Sequence, residues 1–175
     1  MKSIPALAAT GLLAVGLWAA SAARSDEVKS GPAVGTSLML HVTPFNSDGK
    51  TFCVTCAAGM NPNAIVFVTK NDDATHKLLT QVDAEVKEHK DKNVCATILI
   101  VGNGDDATGL KQFVSDQKIA VPAACITADL AGLKDWDINK DAGNTVVYFK
   151  EHKVQCTAAD TSADELAKTV DKIIG

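Results

Sequence analysis

The chain reads as an α/β protein with a central mixed β-sheet flanked by α-helices. Two observations predict this. From Ala64 onward, apolar runs rich in β-branched residues alternate with segments whose apolar residues recur every three or four positions. The order is strand, helix, strand, helix, a short insert, strand, strand, helix. Such alternation implies parallel strands joined by right-handed crossovers, and the closing strand pair adds antiparallel partners.

Each element carries its own signature. Residues 37–42 are expected as a short strand, followed by a turn-rich loop containing Asn46-Ser47-Asp48-Gly49. Ala64-Ile65-Val66-Phe67-Val68-Thr69 is continuously apolar, which suits a strand buried on both faces. Asp72 or Asp73 can cap the next helix, whose stripe is Leu78, Leu79, Val82 and Val86. Residues 94–101 form the second buried strand, and Gly102-Asn103-Gly104 turns the chain. Asp105 or Asp106 is expected to cap a second helix with Leu110, Phe113 and Val114 inward. Residues 121–127 suit a short third strand, and Pro122 places it at a beginning or an edge. Residues 131–138 suit a short helix or turn. Residues 145–149 form a strand, Lys150-Glu151 turns, and residues 152–157 return as its hairpin partner. Ser162 and Glu165 make a capping box for a last helix that buries Leu166, Val170 and Ile173.

The N-terminus has a different character. Met1-Lys2-Ser3 precedes an apolar stretch over residues 4–20, which ends in Ala19-Ala20-Ser21-Ala22-Ala23. A positive start, an apolar middle and small residues at the −3 and −1 positions read as a secretory signal peptide, residues 1–22, cut after Ala22, with Ala23 the near alternative. The stretch falls short of the ~20 residues that span a bilayer. No Cys stands at the cut, so a lipid anchor is not expected. The expectation is a periplasmic or secreted protein with no membrane association after cleavage. Residues 23–36 read as a flexible leader and 37–175 as one domain. The formal net charge of −4 becomes one unit more negative without Lys2. Lysines interleave with acids, as in Glu85-Val86-Lys87-Glu88-His89-Lys90-Asp91-Lys92, so there is no basic patch and no nucleic-acid partner is expected. His76, His89 and His152 are expected on solvated faces.

Five cysteines, Cys53, Cys56, Cys95, Cys125 and Cys156, follow the signal. Export puts them where disulfides persist, and an odd count leaves one thiol free or paired between chains. Thiol exchange needs an accessible sulfur with a second one within reach, which Cys53-Val54-Thr55-Cys56 supplies. So short a loop gains little from chain entropy, which favours a redox or metal role over stapling alone. A structural clip remains the bland reading. A third is a soft ion such as Cu(I) held by both thiolates with Met60 and His41. No second C-x-x-C or H-x-x-x-H completes such a ligand set, and no metal or cofactor is assigned. Ala57 stands where haem attachment needs His. Cys95 is expected mid-strand as an inert buried thiol. Cys125 and Cys156 would pair if their strands were adjacent.

The element order, with Cys53-Val54-Thr55-Cys56 nearby, resembles the thioredoxin fold over about residues 37–175. The insert over residues 118–144 is similar to the exported thioredoxin-like and peroxiredoxin branch. The resemblance implies a thiol-disulfide oxidoreductase in which Cys53 attacks, Cys56 resolves, and the substrate is a protein thiol or disulfide. It also leaves open a non-catalytic domain with a structural C-x-x-C that binds an envelope protein partner or scaffolds an assembly. Two departures stand out. The family's cysteine pair usually opens the first long helix, where this chain has Lys70-Asn71-Asp72-Asp73; the displaced pair is expected near the opposite end of the sheet unless an upstream segment folds back. The family's proline, usually cis, precedes the third core strand, where this chain has Asn144. No Pro-x-x-x-Thr/Ser-x-x-Cys run is present, so peroxidase activity is not expected.

Overall fold

The computed structural model describes residues 28–127, 129–130 and 133–175; the signal-peptide reading lies outside them. A two-residue ribbon comes first, β1 (His41–Val42) and β2 (Phe52–Cys53). The main sheet has five strands: β3 (Asn63–Val68), β4 (Cys95–Val101), β5 (Ala123–Ile126), β6 (Asn144–Lys150) and β7 (Lys153–Ala159). Its spatial order is β5-β4-β3-β6-β7, with β5, β4 and β3 parallel and β6 and β7 antiparallel. Central β3 is buried at every position, as its unbroken apolar run requires.

Helices α1 (Asp73–Glu88), α2 (Asp105–Asp116) and α3 (Ala163–Ile174) supply the crossovers and the closing cover. Leu78, Leu79, Val82, Leu110, Val114, Leu166 and Val170 join Ala64, Val66, Ile98 and Val146 in one apolar cluster, so all three helices share one face of the sheet. The other face packs Ile65, Phe67, Leu99 and Phe149 under Leu40, Val42, Val54 and Trp136. The Trp136 ring tilts against Phe67 and Phe149, each with centroids 5.5 Å apart. It sits in a 3₁₀ turn, Leu133–Trp136, inside the stretch expected as a helix or turn.

Local chemistry sets the boundaries. The Asp72 carboxylate caps α1, accepting the Thr75 N–H at 2.8 Å. The Ser162–Glu165 capping box opens α3 as its spacing predicts. The cap expected at Asp105 or Asp106 is corrected: Gly104 caps α2, both acids lie in the first turn, and Asp106 accepts the Asn71 N–H instead. The hairpin turn is also shifted by one residue. Glu151 and His152, at φ +55 and +60, form the two-residue turn, because positive φ at both centres matches the twist of the flanking strands.

The segment read as a flexible leader is tied down where it is described. The Ser30 hydroxyl lies 2.6 Å from that of Thr145, and the Gly31 N–H donates to the Asp137 carbonyl at 2.9 Å. Farther on, the Gly35 N–H donates to Val154 O and the Val154 N–H to Thr36 O. These bonds are polar and backbone-mediated, so no apolar period announces them. Gly31 has φ +95, and a Cβ there would sit 3.1 Å from the Thr157 side chain. No helix among the described residues is long and apolar enough to cross a membrane.

Candidate functional site

Cys53 and Cys56 form a disulfide, with Cα atoms 5.2 Å apart. The loop between them is anchored from within. Val54 and Thr55 are buried, and the Val54 N–H donates to Leu40 O at 2.8 Å. The Thr55 hydroxyl donates to Leu38 O at 2.9 Å, and Asn63 Nδ2 donates to Val54 O at 2.8 Å. The chain then turns tightly, with the Ala57 N–H on Cys53 O and the Gly59 N–H on Cys56 O, both at 3.0 Å. Burying the middle of the motif drives its ends outward unequally: Cys56 is exposed, whereas Cys53 is half-buried.

The surroundings of Cys53 Sγ are polar. The Cys56 N–H donates to it at 3.2 Å, and Thr55 Oγ1 lies 3.4 Å away. His41 is its direct partner across the β1–β2 register. Residues opposite one another in such a ribbon project to the same face with Cβ atoms about 4.5–5.5 Å apart. His41 entered the sequence reading only as a metal ligand. The signal for its nearness to Cys53 is the pairing of residues 41–42 with 52–53, which sequence alone does not register. Among the described residues, no group of three or more His, Cys, Asp or Glu could hold a metal ion.

The loop sits at the start of β3 and β4, as the displaced motif predicts: Asn63 is the first residue of β3 and clamps it. A cleft of about 260 Å³ lies beside it, lined by Phe52, Ala57, Asn63, Lys87, Cys95 and Val121. The Asn63 Oδ1 atom is buried and without a hydrogen-bond partner.

The other thiols are separate. Cys95 is not mid-strand; it opens β4, half-buried, with its thiol directed to Asn93 O at 3.5 Å. Burial pushes this thiol up from its ordinary range. Cys125 and Cys156 stand in β5 and β7, the opposite edges of the sheet. Four strand spacings, about 19 Å, separate those edges, so the adjacency their pairing needed is absent. Burial raises both thiols, opposed in part by Lys111 at Cys125 and Lys172 at Cys156.

At the far end of the sheet, the residues standing where the family has its cysteine pair and proline make structural contacts. Asp72 caps α1, and its carboxyl is held below the usual range chiefly by the Thr75 N–H. Asn71 Oδ1 lies 2.8 Å from His76 Nε2, and the His76 ring stacks on Phe113 at 3.9 Å. Asn144 spans to the entrance of α3: its Oδ1 accepts the Thr161 N–H at 2.9 Å and its Nδ2 donates to Thr161 O at 3.2 Å. His89 is no simple solvated histidine. Its Nε2 lies 3.3 Å from the buried Glu85 carboxylate and 3.5 Å from that of Asp171, joining α1 to α3. The four-residue spacing of Glu85 and His89 is the signal that could have found this pair.

No family model and no curated protein matches the sequence. Solved structures do match its shape. The chain is similar to the thioredoxin domain of a thiol-disulfide oxidoreductase from Bacteroides vulgatus, at 13% identity and a TM-score of 0.59, covering 82% of this chain and 99% of that one. It is similar to a protein described as a putative thiol:disulfide interchange protein DsbE from Chlorobium tepidum, at 9% identity and 0.65, with 82% and 99% covered. It is also similar to a DsbF homologue from Corynebacterium diphtheriae, at 13% and 0.63, with 85% and 96% covered. Strand order, closing hairpin and these likenesses together show a thioredoxin-like fold, which here carries its C-x-x-C disulfide on an added ribbon at the start of β3 and β4.

Proposed function

We propose that this is an exported thiol-disulfide exchange protein that acts on protein thiols or disulfides through Cys53 and Cys56. The observation that carries the reading is a disulfide on an anchored loop with Cys56 exposed. Exchange needs an open sulfur and a second one held in place, and an exposed Cys56 bonded to a half-buried Cys53 supports that reading. The Cys56 N–H beside Cys53 Sγ would stabilise a thiolate there after reduction. The apolar stretch over residues 4–20 and its small-residue end support export. The names of two structural neighbours, an oxidoreductase and an interchange protein, point the same way.

The test is a redox titration of the protein in glutathione or dithiothreitol buffers, with thiols alkylated and mapped by mass spectrometry. Exchange predicts that Cys53 and Cys56 interconvert between about −120 and −270 mV, the range of known exchange proteins. The position in that range tells an oxidant from a reductant. One observation favours a second reading, a partner-binding or scaffold domain: Asn63 clamps the loop onto the sheet from a site away from the start of α1. A pair that stays oxidised to below about −300 mV supports that structural role.

A further inference from the structure

Resting on the exchange reading, we infer that Cys56 is the sulfur that joins to the partner and that Cys53 is the sulfur that leaves, the reverse of the order the thioredoxin resemblance implies. Three features of the loop carry this. The first is access. An attacking thiolate must approach its target sulfur along the disulfide axis, and which sulfur is open decides which is attacked. Cys56 is exposed, whereas Cys53, the last residue of β2, is half-buried and followed by the buried Val54 and Thr55.

The second is the fate of the charge. When the Cys53–Cys56 bond breaks by attack at Cys56, its electron pair departs on Cys53 Sγ. That atom already receives the Cys56 N–H at 3.2 Å. The backbone donor is in place before reaction, so the leaving thiolate needs no rearrangement to be stabilised. The third is the resting state of the leaving sulfur. The Thr55 hydroxyl hydrogen is spent on Leu38 O, so its oxygen, 3.4 Å from Cys53 Sγ, can accept an S–H. The site therefore holds Cys53 in either protonation state. No side-chain hydrogen bond reaches Cys56 Sγ among the described residues.

The steps balance. A partner thiolate attacks Cys56 Sγ, the Cys53–Cys56 bond breaks, and Cys53 becomes a thiolate. The partner is now disulfide-bonded to Cys56. A second thiolate of the partner attacks its own sulfur in that bond, and the electron pair leaves on Cys56. The partner's dithiol is oxidised to a disulfide, and Cys53 and Cys56 are reduced, taking up protons from water.

The test uses the oxidised full protein, a limiting amount of reduced glutathione as probe, an acid quench and peptide mapping. The expected result is glutathione on Cys56 with Cys53 free, in about tenfold excess over the reverse adduct. Single variants check the assignment without relying on the quench. With each rate divided by the variant's thiolate fraction, read from ultraviolet absorbance, Cys53→Ser should react with glutathione disulfide about tenfold faster than Cys56→Ser. Adduct mainly on Cys53, with Cys56→Ser the faster variant, overturns this order and leaves exchange itself standing. Adduct on neither cysteine overturns exchange and this order together.

Discussion

His41 and Cys53 stand directly opposite each other in the β1–β2 ribbon, one exposed and the other half-buried. Register places the imidazole on the same face as that sulfur, beside the place where a thiolate would form, and an imidazole N–H can donate to a thiolate. His41→Ala is therefore expected to slow disulfide exchange about three- to tenfold. In a Cys56→Ser background it should also raise the pH at which Cys53 becomes a thiolate, read from ultraviolet thiolate absorbance. Because His41 is exposed, the unfolding midpoint should scarcely move. An unchanged rate and an unchanged thiolate titration would remove His41 from the site.

The Asn144 amide makes both its bonds to the backbone of Thr161, and both residues are buried. Asn144→Ala strands a buried N–H and a buried carbonyl, a loss of about 1–3 kcal/mol. Urea unfolding should show it as a lower midpoint with an unchanged slope. The exchange rate of the folded protein should stay as it was, since Asn144 pairs with Val68 at the end of β3 away from the cysteines.

Asp72 and Glu165 have carboxyls held below their usual range, chiefly by the backbone N–H groups of Thr75 and Ser162. A pKa lowered on folding gives stability that is present above the unfolded value and lost as pH falls through the folded one. The window thus opens below about pH 4. Asp72→Ala should destabilise the protein by about 1 kcal/mol at neutral pH. The difference between wild type and variant should shrink on acidification below that point. A difference that persists unchanged into acid would rule out the charged carboxylate as its source.

Cys125 is exposed, while Cys95 and Cys156 are half-buried. Burial keeps all three largely as thiols at neutral pH, and a thiol is a poor nucleophile. Iodoacetamide at neutral pH should label Cys125 first and the other two slowly. Cys125→Ser should leave the midpoint of the Cys53–Cys56 redox titration where it was. A shifted midpoint would mean that Cys125 takes part in the exchange.

The fold was legible where one side-chain property decides an element. The unbroken β-branched run at 64–69 suited a buried strand and is the central one, and the Ser162–Glu165 spacing predicted the start of the last helix. The displaced cysteines were legible too, because chain order puts them ahead of β3. Pairings between remote segments were not. Asn46 bonds to the backbone around β5 through Val121 and Ala123, and Ser30 reaches Thr145. Polar contacts of that kind carry no period. The same limit hid the unequal exposure of Cys53 and Cys56. It depends on Leu38 and Leu40 receiving Thr55 and Val54, and no property of those residues alone records that.

The course of residues 30–36 governs how the domain can be displayed. Ser30 touches Thr145 at the start of β6, whereas Gly35 and Thr36 bond to Val154, beyond the hairpin and level with the first residues of β3. At about 3.3 Å per residue, the length of β6 separates the point where the chain joins the domain from the cysteine loop by roughly 20 Å. The last turn of α3 is the opposite case: the Lys150 ammonium donates to the Ile173 carbonyl, so that helix ends on the cysteine side. A purification tag or surface tether placed ahead of Val28 would thus hold the protein with its disulfide pointing away from the support, and one placed after Gly175 would crowd it.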